Sequence, residues 1–136
     1  MAGYSQTPLA KKLGIKPCAR LALDREPSGW RVPELPDGVA TVAGANPADV
    51  VVAFFRQAAE LDERLPELAR RIFPAGSLWV AWPRRAGGHE SDITENGLRD
   101  HALPLGIVDV KVAALDEDWS GLKFVWRREN RAAPPA

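Results

Sequence analysis

Four arginines, two tryptophans and one histidine carry most of the chemistry this chain can offer. Arg25 follows a short apolar run, Arg56 follows a longer one, and Arg84 and Arg85 follow Trp82-Pro83 at the end of a third. A guanidinium binds carboxylate or phosphate through a planar fork of N–H donors. The Gly87-Gly88 pair just beyond would let backbone come close to an anion. Trp82 and Trp119 are candidates for the aromatic wall of a planar ligand, with the Ser120 hydroxyl beside them. His89, in the same polar stretch as the arginine pair, is the candidate acid or base. Each has a plainer reading. Arginines commonly form a solvated rim, tryptophans commonly pack a core, and a lone histidine without a partner is a surface residue. No catalytic residue is assigned.

Several reaction classes lack their signatures. Two histidines and one cysteine, widely spaced, give no metal-ligand pattern. Cys18 has no second cysteine to pair with and no activating neighbours, so it reads as an inert thiol in a reducing, cytoplasmic setting. Asp116-Glu117-Asp118 reads as a solvated loop rather than a cation site. There is no P-loop and no dinucleotide fingerprint. Lysine and arginine total 18, balanced by 18 aspartate and glutamate. A neutral chain lacks the basic field that drives nucleic-acid binding, and it has neither the polybasic patch nor the long apolar run of a membrane protein. The first twelve residues have no apolar core ahead of their lysines and so do not resemble a secretory signal.

The elements that must position these residues follow from periodicity. A chain of 136 residues is one domain by length, expected over residues 1–128 with a frayed tail at 129–136. Thr7-Pro8 opens a short helix that Gly14 ends. Residues 20–24 form a first core strand, residues 25–38 a Pro/Gly loop, and residues 39–42 a weak second strand. Residues 50–55 are β-branched and aromatic on both faces, as a central parallel strand requires. Ala58, Leu61, Leu65, Leu68 and Ile72 form a helical stripe that Pro66 either kinks or splits. Residues 78–82 are the next buried strand. Asp92 with Glu95 resembles a capping box for a helix ending before Pro104. The alternation at 107–115 and 122–128 gives two last strands. About six residues join them, too few for a parallel crossover, so they pair antiparallel.

Alternating strands and helices call for a mostly parallel sheet of about six strands covered on both faces, an α/β three-layer arrangement. The lead-in Gly14-Ile15-Lys16-Pro17-Cys18-Ala19-Arg20-Leu21, the helix-Pro-Gly-strand unit at 66–80 and the hairpin at 108–126 resemble the class I methyltransferase (Rossmann-like) fold with one outer strand missing. The resemblance implies the order second, first, third, fourth, last, fifth. A second resemblance spans nearly the whole chain. Thr7-Pro8-Leu9-Ala10-Lys11-Lys12-Leu13-Gly14, Leu78-Trp79-Val80-Ala81-Trp82-Pro83-Arg84, the run 103–112 and Trp119-Ser120-Gly121-Leu122-Lys123 resemble a small bacterial family, domain of unknown function 3052. It brings no activity with it.

The methyltransferase resemblance also implies a cofactor site: a glycine-rich turn after the first strand and an acidic residue ending the second. Here the turn is Asp24-Arg25-Glu26-Pro27-Ser28-Gly29-Trp30, with one glycine, and Val42 leads into Ala43-Gly44-Ala45-Asn46 with no carboxylate. No cofactor is therefore expected, S-adenosylmethionine included. Ligands of open α/β sheets bind beyond the carboxyl ends of the strands. The sequence thus predicts a non-catalytic domain that binds a small anionic ligand or a protein partner there, through Arg25, Arg56, Trp82, Pro83, Arg84, Arg85, His89, Trp119 and Ser120. A divergent S-adenosylmethionine-dependent methyltransferase is the alternative. A structural or regulatory homodimer is a third reading, since tryptophans are enriched at interfaces.

Overall fold

The computed structural model describes residues 7–44, 46–84 and 91–132. Six strands form one sheet: β1 (Arg20–Asp24), β2 (Ala40–Thr41), β3 (Val50–Phe54), β4 (Ser77–Pro83), β5 (Ile107–Ala114) and β6 (Trp119–Trp126). Their order is β2-β1-β3-β4-β6-β5. The first four run parallel, while β6 is antiparallel to both β4 and β5. The strand order is the one the methyltransferase resemblance implies, and the reversed ribbon is the one the short last connection predicts.

The sheet is covered by different means on its two faces. One face packs α2 (Ala58–Arg71) and α3 (Glu95–Ala102). Leu61, Leu65 and Leu68 of α2 are buried there against Val51, Leu78 and Phe124. The other face carries the five-residue α1 (Leu9–Leu13) and, in place of a helix, the loop 25–39, which supplies Trp30, Val32 and Val39. Among the described residues, neither the β1–β2 nor the β2–β3 connection contains a helix. Strict strand–helix alternation therefore fails in the first third of the chain. The Pro- and Gly-rich composition of 25–38 explains this: it cannot sustain a helical ladder.

Trp79 locks α1 to the sheet. It is fully buried on β4 and its Nε1 donates to the Leu13 carbonyl oxygen at 3.1 Å. Trp126 does the same on the opposite face, donating to the Ala69 carbonyl of α2 at 2.8 Å. Gly76 enters β4 where a Cβ would lie 2.8–3.0 Å from the carbonyl oxygens of Ala48, Asp49 and Ile72, so only glycine fits.

Local details depart from the sequence expectations for identifiable reasons. α2 continues through Pro66 as one helix. Its apolar stripe is buried along its whole length, which outweighs one missing hydrogen bond. Asp92 does not open α3: Thr94 is that cap, accepting from the Gly97 N–H at 3.0 Å. Asp92 instead accepts from the Ala58 N–H at 2.8 Å and caps α2, whose own Gln57 makes no side-chain cap. The terminal hairpin turns sooner than expected. Strand β6 begins at Trp119, and the connection is 115–118. Asp116 tightens it by accepting from the N–H groups of Asp118 and Trp119, both at 2.8 Å. The beginning of the expected tail forms a short 3₁₀ turn, Arg128–Asn130, and Asn130 donates back to the Gly106 carbonyl.

Asp49, just ahead of β3, ties the N-terminal ends of the strands together. It accepts from the Arg20 backbone N–H at 2.8 Å and forms a two-point ion pair with its guanidinium. The Arg20 side-chain hydrogen bond, then the backbone one, hold the Asp49 carboxyl below its ordinary value of 3.8. A carboxyl with a depressed folded-state pKa adds stability that is fully present above its unfolded pKa. That stability is lost as pH falls through the folded value. Unfolding midpoints in urea should therefore fall from near pH 4 downward, and Asp49→Asn should flatten that acid limb. An unchanged limb in the variant would refute the assignment.

Candidate functional site

In a sheet of this kind the ligand crevice lies where the chain, having left β1 to one side for β2, returns on the other side as β3. The carboxyl ends there are Asp24-Arg25 and Phe54-Phe55-Arg56. A cleft of about 150 Å³ opens at that point, lined by Arg25, Pro27, Phe54, Arg56, Glu60 and Trp119. Three of the nine residues singled out from the sequence, Arg25, Arg56 and Trp119, thus share one cleft.

The cleft is small because aromatic rings occupy its floor. Alternation along β3 sends Phe54 to the α1 face, the same face as Trp119 of β6. Phe54 packs edge-on against Trp119 with centroids 5.0 Å apart, and against Trp30 at 4.6 Å. Asp116 fixes both tryptophans: one carboxylate oxygen accepts from Trp30 Nε1 at 3.0 Å, the other from the Trp119 N–H. The acidic hairpin loop is thus a brace for this plug, and its Asp116 oxygens are spoken for. Among the described residues no group of acidic, histidine or cysteine side chains could hold a metal ion.

The charges around the mouth are partly matched. Arg25, in the left-handed region at φ 58°, pairs with Glu60 of α2 and lies over the Phe55 ring. Asp24 is taken by a two-point pair from Arg64 of α2, at 2.8 and 3.2 Å. Those hydrogen bonds to Asp24 are the largest influence raising the Arg64 pKa. Arg56 is exposed and stacks over Trp119, 5.1 Å from the ring centroid, with no carboxylate partner among the described residues.

The remaining sequence candidates are elsewhere. Trp82 and Trp119 do not form one wall. Register places Pro83, not Trp82, opposite Trp119. Trp82 packs on the α2/α3 face, with Ser120 opposite it. The alternation of a strand separates them, because neighbouring residues point to opposite faces. Pro83 is buried. Arg84 serves the hairpin, its Nη1 donating to the Asp116 carbonyl at 3.0 Å and its N–H to the Asp118 carbonyl at 2.8 Å. It is therefore half of no free clamp. Arg85 and His89 lie outside the described residues.

Trp30, Phe54, Glu60 and Asp116 complete the site and were not anticipated. Phe54 reads as ordinary core, and Trp30 sits in a loop without periodicity. Only the strand order brings them together.

No family model matches the chain, and no curated protein matches it. Solved structures do. A SAM-dependent methyltransferase from Aquifex aeolicus superposes with a TM-score of 0.60 at 15% identity, over 89% of each chain. The Methanococcus jannaschii fibrillarin pre-rRNA processing protein gives 0.58 at 13%, over 92% of this chain and 71% of the other. Aeropyrum pernix fibrillarin, solved with natively bound S-adenosyl-L-methionine, gives 0.54 at 13%, over 86% and 73%. At such identities the likeness defines the fold alone. The chain has a class I methyltransferase-like, Rossmann-like α/β fold.

Two features of the S-adenosylmethionine site that the methyltransferase resemblance implies differ here. Where a glycine turn would let backbone approach the cofactor, Arg25 carries a paired side chain and Trp30 covers Phe54. No carboxylate follows β2, where 42–44 read Val, Ala, Gly. At about 150 Å³ the cleft also falls below the roughly 300 Å³ at which pockets begin to take drug-sized ligands.

Proposed function

We infer that this protein is a methyltransferase-fold domain that works without the cofactor, binding a small anion at the carboxyl edge of its sheet between Arg56 and Arg25. One observation carries the reading. The crevice is plugged by Trp30, Phe54 and Trp119, yet an arginine without a carboxylate partner among the described residues lies over Trp119 at its mouth. A guanidinium seated over an indole loses less freedom when it binds. Glu60 neutralises Arg25, so Arg56 supplies the net charge. The family resemblance to domain of unknown function 3052 rests on the motifs quoted above.

The test is a titration with inorganic phosphate, followed through the indole N–H resonances of Trp30 and Trp119. Saturable shifts are expected, and Arg56→Ala should weaken them by about tenfold, the loss of one charge-assisted contact. Equal affinity in wild type and variant would remove Arg56 from the site and the proposal with it.

A second reading, a divergent S-adenosylmethionine-dependent methyltransferase, is favoured by the fold's likeness to structures solved with that molecule. Calorimetry separates the two. Saturable heat with S-adenosylmethionine would support the enzyme, and silence at high micromolar cofactor would support the binding domain.

A further inference from the structure

A larger hollow lies at the opposite end of the sheet. It has a volume of about 410 Å³ and opens between the end of α1, the turn ahead of β1, and the starts of β3 and β4. Nothing in the fold's carboxyl-edge logic uses it. Its volume falls within the range of pockets that take small organic ligands.

Its charge is lopsided. Lys123, half-buried on β6, and Lys16, in the turn after α1, both line it. Lys111 stands directly across from Lys123 in the β5–β6 ladder, where like charges repel. Asp49 is the lining carboxylate, but Arg20 occupies both of its oxygens. None of the three lysines has a hydrogen-bond or ion-pair partner among the described residues. Ser77, buried in the same wall, donates its backbone N–H to the Asp49 carbonyl, and its hydroxyl is unpaired among the described residues.

The arrangement disfavours its own charge. Burial first, then Lys111 and Lys16, push the Lys123 ammonium below its ordinary pKa of 10.5. A cation whose folded-state pKa is depressed lowers stability while it stays charged at neutral pH. Two lysines lining the hollow, one of them also repelled by Lys111 across the ladder, call for an anion to complete them.

We propose that this hollow binds a phosphate-bearing small molecule, with Lys123 and Lys16 holding the phosphate and the Ser77 hydroxyl donating to it. The site is distinct from the arginine cleft: the two lie at opposite ends of the parallel strands and share no residue. The hollow exceeds what a bare phosphate fills, so the remainder of the ligand occupies the wall of Gly14, Pro17 and Val125.

Cys18, the chain's single cysteine, provides the readout. It is exposed and lines the hollow. Inorganic pyrophosphate is the probe, at ionic strength matched with sodium chloride. At ten times its dissociation constant, pyrophosphate should slow alkylation of Cys18 by neutral iodoacetamide about tenfold, because only about one site in eleven stays unoccupied. It should also raise the melting temperature by about 5 °C. Lys123→Gln and Lys16→Gln should each cut pyrophosphate affinity by about tenfold. Lys123→Gln should also melt higher than wild type without ligand, because it removes the repulsion. If Lys123 serves only to hold the end of α1, the variant will melt lower and keep wild-type affinity, and the proposal fails. Loss of pyrophosphate binding in Arg56→Ala with no loss in Lys123→Gln would place the anion at the arginine cleft and equally overturn it. Arg56→Ala affinity equal to wild type alongside a loss in Lys123→Gln supports it.

Discussion

Trp79→Ala should cost about 3–5 kcal/mol, the range for emptying a large aromatic site in a packed core. Against a total of roughly 5–15 kcal/mol for a domain of this kind, that leaves the protein barely folded. Trp79 is fully buried at the centre of the α1 face, between Val52 of β3 and Lys123 of β6 in the ladder. Its neighbour Gly121 leaves room for it: a Cβ there would come within 3.0 Å of the indole. Its Nε1 is the donor that holds the Leu13 carbonyl. The alanine variant therefore opens a void and frees the end of a five-residue helix that is far too short to persist alone. Trp79→Phe should cost less, since it retains most of the packing and loses the hydrogen bond. Urea denaturation measures both, and hydrogen exchange at Gly14 reports α1 separately. A loss under about 1 kcal/mol in Trp79→Ala would contradict the packing described.

How far the sequence reveals this molecule depends on whether a feature is periodic. The run 50–55 is apolar at every position and proved a central strand. The stripe from Ala58 to Ile72 spans α2 despite Pro66, because burial acts over four turns and a proline over one. The short gap between the last strands dictated their antiparallel pairing regardless of where the turn fell. Loop 25–39 carries no period, so nothing in its letters says that it replaces a helix. Asp92 shows the limit of local signals. An acidic residue three before Glu95 satisfies the capping pattern, yet its carboxylate crosses to the N-terminus of α2.

The site was legible in part, for the same reason. Residues that end strands are placed by the strand order, so Arg25, Arg56 and Trp119 were recoverable once the order was known. Trp82 was misplaced because Trp82 and Trp119 meet only if the register pairs them, and the register sets Pro83 opposite Trp119. A shift of one residue moves a side chain to the other face. Arg84 was recoverable in place but not in role, since its partners are backbone carbonyls of the turn at 116–118. The lysines of the opposite edge come from 16, 111 and 123. No spacing rule joins them: the β5–β6 pairing brings Lys111 to Lys123, and the packing of α1 on the sheet brings Lys16 to the same hollow.

Trp119→Ala tests whether the aromatic plug decides what the cleft can bind. Trp119 is 6% exposed, packs on Phe54 and supports Arg56. Its truncation should cost about 3 kcal/mol, at the lower end for an aromatic lost from a core, because the site is next to solvent and can partly collapse. Arg56 loses its seat, so phosphate affinity at the cleft should fall by about tenfold, matching Arg56→Ala. The cleft should widen, yet S-adenosylmethionine should still not bind. Removing an indole adds no carboxylate after β2, and it leaves Arg25 paired with Glu60. A cleft large enough for a ligand still needs polar groups placed to hold it. Calorimetry on the folded variant decides the matter. If Trp119→Ala binds S-adenosylmethionine where the wild type does not, the missing contacts are dispensable and the chain is a methyltransferase closed by one side chain. If neither binds it, removing the plug does not create a cofactor site, which is the outcome the proposed anion-binding reading expects.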